Sequence, residues 1–141
     1  MERKSISLER SLLDLRRVDT GTEIEGYASV WDTPDAYGDV IRRGAFARTL
    51  RERERPVRMR WQHFGPVIGR WLELREDDIG LYVRGVLIKG HSVADDAAAA
   101  IAAGAVDGLS IGFFARSWRD LPSGGRELTD IDLVEISVVE E

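Results

Sequence analysis

Apolar residues in this chain recur mostly at every second position, the period of a strand with one buried face. Residues 23–31, EIEGYASVW, set Ile24, Tyr27 and Val30 among polar neighbours and predict a strand. Residues 57–61, 67–75 and 81–88 predict three more, the last two flanking EDDIG at 76–80 as a hairpin. Residues 109–116 and 128–139 predict the final strands, with the loop DLPSGGRE between them. A looser alternation over residues 5–18 predicts a peripheral first strand within residues 1–20. Pro, Gly and Asp punctuate residues 32–39, DTPDAYGD, as a loop.

Two segments change to a helical period. Residues 44–54, GAFARTLRERE, bring Phe46, Leu50 and Ala47 to one face and end before Pro56. Ser92, with Asp95 three residues on, has the spacing of a capping box and predicts a helix to about Ala103, stopped by Gly104. Two helices are too few for repeated strand–helix–strand crossovers. The pattern therefore predicts an α+β, mainly β fold: a small antiparallel β-barrel of about seven strands with covering helices, in one domain spanning residues 1–141.

Composition narrows the chemistry. The chain has no cysteine, which excludes disulfides, thiolate zinc sites and thiol catalysis. His63 and His91 are its two histidines, too few for a multi-histidine metal centre, so neither metal nor cofactor is expected. The first residues lack the apolar core of a signal peptide, and no apolar run reaches membrane-spanning length, so a cytoplasmic protein without a membrane partner is expected. The net charge of −5 is unevenly placed: residues 42–60 carry eight arginines against Glu52 and Glu54, and residues 120–141 carry seven acids against Arg126. A basic helix face is one form of nucleic-acid interface. The acidic total favours instead a solvated arginine-rich face that meets an acidic region of the same chain or of a partner.

VDGLSIGF, residues 106–113, contains Gly-x-Ser-x-Gly, the letters of a nucleophile elbow. An elbow needs a helix directly after the serine and a histidine later in the chain. Here Ile-Gly-Phe-Phe follows Ser110, and both histidines precede it. Ser110 is thus a strand residue, either a plain strand serine beside a bulge or a hydroxyl in a patch that Gly108 and Gly112 clear for an approaching peptide backbone. His63 in RWQHFGP lies at a strand end before a turn, and His91 in KGHSV lies in a loop before the helix cap. Glu135 interrupts the apolar run IDLVEISVV, so it either faces solvent or holds a specific partner, because an unpaired buried carboxylate is costly. Ser110, His63 and Glu135 make up a nucleophile, a base and an orienting carboxylate, although their spacing does not bring them together.

Four segments, in order, resemble the HK97-type phage prohead (head maturation) serine proteases. They are EGYASVWDTPDAYGDVIRRGAFARTL (25–50), RMRWQHFGPVIGRWLELREDDIGLYVRGVL (58–87), AGAVDGLSIGF (103–113) and RELTDIDLVEISVV (126–139). The resemblance implies a β-barrel related to the herpesvirus assemblin proteases. It also implies a serine endopeptidase with Ser110 as nucleophile, His63 as general base and Glu135 as third member. His91 is a rival for the third place, because the herpesvirus enzymes use a second histidine there. The implied partners are the major capsid protein with its scaffolding segment and a second copy of the chain, through autoprocessing and oligomerisation inside the assembling procapsid in the host cytoplasm. The family's segment beyond the last strand is absent after VVEE, which implies a truncated, autoprocessed or impaired form. A non-catalytic capsid-assembly or scaffold-binding module on the same fold is the competing reading.

Overall fold

Nine strands and two helices form among the described residues of this computed structural model, which are 1–6, 13–19 and 21–140. In chain order they are β1 (Glu2–Ile6), β2 (Asp14–Val18), β3 (Gly21–Val30), β4 (Val40–Ile41), α1 (Ala47–Glu52), β5 (Arg58–Trp61), β6 (Val67–Glu76), β7 (Gly80–Ile88), α2 (Ser92–Ala102), β8 (Gly108–Asp120) and β9 (Arg126–Val139). All nine strands belong to one sheet. Eight follow the order β1-β8-β9-β5-β6-β7-β3-β2, and β4 pairs with β9. The sheet curls into a half-barrel, so the fold is mainly β with two helices, as the periodicity predicts.

One face of the curled sheet is apolar. Ile24, Met59, Ile68, Leu81, Val83, Leu109, Ile111, Phe113, Ile136 and Val138 all point into one core, each contributing about 1.5–3 kcal/mol when fully buried. Helix α2 seals one side through Ala94, Ala97 and Ile101, whose spacing puts them on one face. Helix α1 and its approach contribute Phe46, which packs against Trp31 at 5.9 Å between ring centroids. The Thr49 hydroxyl accepts a hydrogen bond from Leu133 N–H at 3.0 Å, fixing α1 onto β9.

Four sequence expectations change. The sheet is not wholly antiparallel, because β5 runs parallel to β9, from Arg58 opposite Glu135 to Trp61 opposite Val138, and β4 runs parallel to it as well. A parallel neighbour needs a long crossover, and no local pattern announces one. The single first strand is two strands, β1 and β2, at opposite ends of the sheet order; residues 7–12 of that expected strand lie outside the described residues. The helix expected over 44–54 shortens to Ala47–Glu52, because residues 42–46 form turns and Glu76 accepts from the Gly44 and Phe46 amides at 3.1 and 3.0 Å. The cap of α2 is His91 rather than Ser92.

The uneven charge resolves within the chain. The Arg48 guanidinium donates to both Asp130 carboxylate oxygens at 3.1 and 3.0 Å and also reaches Asp132. Those carboxylates raise the Arg48 pKa above its ordinary value, and Arg48 with Arg116 lowers that of Asp132. The basic segment thus lies against the acidic last strand, as a solvated face meeting an acidic region should.

Candidate functional site

The two long C-terminal strands put polar residues on one face of an otherwise apolar ribbon. In the β8–β9 ladder Ser110 is opposite Ser137, and Gly112 is opposite Glu135. Side chains at directly opposed positions share a face. Ile111 and Ile136, the intervening pair, turn to the core. The alternation Ser-x-Gly against Glu-x-Ser therefore makes a narrow polar strip. The strip is deeply buried: Ser110 has no solvent exposure and Glu135 is 3% exposed. Burying a carboxylate there requires partners.

Glycine at 112 makes room for that carboxylate. A Cβ at this position would lie 2.6 Å from Glu135 Cγ and 2.7 Å from Oε1. Its missing side chain leaves space for the neighbouring glutamate, a use of Gly112 that the sequence reading did not name.

His63 reaches the strip from the turn between β5 and β6. Gln62 and His63 both adopt positive φ, at 52° and 62°, a left-handed conformation uncommon for residues other than glycine. Two such residues in succession cost of order 1–3 kcal/mol each, and such strain persists only where the surroundings dictate it. Several contacts do so. Gln62 N–H donates to Val138 O at 3.0 Å, Gly65 N–H donates to Trp61 O at 2.8 Å, and Trp61 N–H donates to Pro66 O at 3.2 Å. The Gln62 side-chain oxygen accepts from Glu140 N–H at 3.3 Å. A side chain at Gly65 would meet Trp61 O at 2.5 Å, so only glycine closes the turn this tightly.

The turn places the imidazole between Ser110 and Glu135. His63 Nδ1 hydrogen-bonds Glu135 Oε1, and His63 Nε2 lies 2.7 Å from Ser110 Oγ. A carboxylate at Nδ1 selects the tautomer with the proton there, which leaves the Nε2 lone pair to accept from the serine hydroxyl. Ser137 Oγ donates to the other Glu135 oxygen at 3.4 Å. The Arg60 and Arg3 guanidinium groups stand 3.8 and 3.9 Å from the same carboxylate.

All three residues singled out from the sequence therefore meet. His91 is not with them, because its Nδ1 accepts from Ala94 N–H at 3.2 Å as the cap of α2. Ser137, Arg60 and Arg3 were not singled out. Ser137 alone carried a signal: it is the second polar residue, two positions after Glu135, in the apolar run EISVV. In chemical terms the arrangement is a hydroxyl poised to lose its proton to a base whose positive form a buried carboxylate stabilises.

Comparison with known proteins gives the family and the fold. The family model for the caudovirus prohead serine protease matches residues 11–141. The prohead protease of Enterobacteria phage HK97 is 47% identical over 91 residues, covering 63% of this chain and 40% of that protein. The chain thus spans about two-fifths of the length of the curated relative that it matches. Among solved structures, the bacteriophage T4 capsid assembly protease superposes with a TM-score of 0.67 at 15% identity, covering 98% of this chain and 99% of that one. At that identity the likeness is one of fold.

Proposed function

The chain belongs to the caudovirus prohead serine protease family, and from that premise we propose that it is a serine endopeptidase of capsid maturation acting through Ser110, His63 and Glu135. Its substrates are the scaffolding segment of the major capsid protein and its own chain, inside the assembling procapsid in the host. The observation that carries the reading is the continuous hydrogen-bonded series from Ser110 Oγ through both His63 nitrogens to a buried Glu135.

In this mechanism His63 Nε2 takes the Ser110 proton as Oγ attacks a peptide carbonyl. The tetrahedral intermediate collapses to an acyl-enzyme when His63 returns that proton to the departing amine. Water, activated by the same imidazole, then releases the acyl group. Glu135 holds the ring in its tautomer and offsets the charge of the imidazolium. Family membership and the short Nε2–Oγ distance support these roles. Ser110→Ala removes one buried oxygen and nothing else. It is expected to abolish cleavage of capsid protein co-expressed with the chain while leaving the melting temperature within a few degrees of the original. Undiminished cleavage by that variant refutes the reading.

One observation favours the competing reading of a non-catalytic assembly module: Ser110 is wholly shielded from solvent. A fluorophosphonate probe separates the two. Covalent labelling confined to Ser110 supports the protease, and failure to label a chain whose site has been opened supports the module.

A further inference from the structure

We propose that the outer edge of β8, residues 109–113, is where an extended peptide substrate binds, that β1 is the chain's own occupant of that edge, and that Asp35 and Asp39 form the pocket for a basic side chain of the bound peptide. The inference rests on Ser110 being the nucleophile.

Strand β1 lies antiparallel along the strand that carries Ser110. Arg3 is opposite Gly112, Lys4 opposite Ile111, Ser5 opposite Ser110, and Ile6 opposite Leu109. The other edge of β8 is taken by β9, so β1 covers the one edge at which a further strand can add. Adding a strand to an exposed edge is the general way an extended peptide gains backbone hydrogen bonds, with alternate side chains supplying specificity. β1 makes both kinds of contact. On the face it shares with Ser110, the Arg3 guanidinium stacks over the exposed Phe64 ring at 4.5 Å and approaches Glu135. On the opposite face, Lys4 enters a cavity of about 500 Å³ whose lining includes Ala28, Asp35, Tyr37, Asp39, Ile41 and Ile111.

Lys4 is held there more firmly than an edge lysine needs to be. Its ammonium donates to Asp35 and, at 3.0 Å, to Asp39, and its side chain is 10% exposed. Arg126 contacts both Asp39 and Glu2, tying the start of β1 to the same cluster. Apart from these side-chain clamps the strand is short, five residues, and half-exposed. An edge strand kept in place by one ion-pair cluster is the kind of element that opens locally before the rest of a fold. Its departure frees the backbone groups of residues 109–113 for a substrate and leaves two carboxylates facing the position that Lys4 had filled. A peptide that carries lysine or arginine in register with Ile111 restores the pairing that β1 gave up.

Lys4→Glu, made in the full chain, tests this by setting like charges against each other in the pocket. Amide hydrogen exchange reports whether β1 has left, and the rate of fluorophosphonate labelling at Ser110 reports access. The expected result is faster exchange at residues 109–113 together with labelling accelerated roughly tenfold or more. Adding Ser5→Pro to Lys4→Glu removes a backbone donor and enlarges both effects. A peptide of sequence MERKSISL is expected to slow labelling of the Lys4→Glu chain, and the same peptide with glutamate for lysine is not. Unchanged exchange in both variants overturns the clamp. Accelerated exchange with unchanged labelling overturns β1 as the occupant but leaves Ser110 reactive. Accelerated exchange with no labelling in any form refutes Ser110 as the nucleophile, and the proposal fails with it. Equal competition by the two peptides overturns the basic-side-chain pocket.

Discussion

His63 and His91 each lie in the short segment that follows a strand, β5 and β7 respectively, and the chain uses them in opposite ways. His91 has an ordinary extended backbone, with φ −85° and ψ 120°, and bonds a peptide N–H three residues on. It satisfies one of the donors that every helix start leaves open. His63 is held at positive φ, and its partners are 47 and 72 residues away in sequence. One imidazole relieves a local deficit. The other is kept in a strained backbone by contacts from elsewhere in the fold, which is how strain accumulates at functional sites. The residue type is thus a poor guide to role, and the sequence distance of its hydrogen-bond partners is a better one.

Substitution separates the two regions. His63→Ala removes the proposed base and is expected to lower turnover of a peptide substrate by on the order of 10⁶, measured by single-turnover cleavage. A loss as small as tenfold would put His63 outside the reaction. Glu135→Gln keeps the shape but removes the charge and inverts the preferred tautomer, with an expected fall of about 10²–10⁴ in kcat. If Glu135 only fills space, that variant retains full activity. His91→Ala should cost about 1 kcal/mol of stability through loss of the cap and leave turnover untouched. Thermal unfolding and the same cleavage assay check both halves of that expectation, and a large loss of activity would return His91 to the site.

The same contrast explains what could be read before the fold was known. Strands over 67–75 and 81–88, and the turn between them, follow from local alternation, and the structure places β6 and β7 there. The failed elbow was legible for the same reason: aromatic and β-favouring residues after Ser110 leave no helix, and β8 continues through Asp120. Roles that depend on distant neighbours were not legible. Gly112 lacks a side chain because of Glu135 across the ladder, and Ser137 matters because it shares Glu135's face. The split of residues 5–18 into β1 and β2 was hidden because each strand takes its register from a different distant partner, β8 for one and β3 for the other. Even the cap of α2, a local feature, was displaced by one residue, because an imidazole nitrogen accepts from the third residue on as the serine hydroxyl was expected to do.

The parallel pairing of β5 with β9 has a consequence in time. Arg58 lies opposite Glu135, so the ladder that aligns the His63 turn with the Glu135 strand closes only after residues 135–138 have been made. Contacts so far apart in sequence form late, because loop closure must precede the contacts that reward it. Translation adds about 5–20 residues per second and folds chains from the N-terminus. A nascent chain that has emerged as far as His63 and Ser110 therefore still lacks the carboxylate and the strand that hold them together. At that rate Ser110 precedes the strand that carries Glu135 by about a second or more, so the proposed relay is assembled only once β9 has been made.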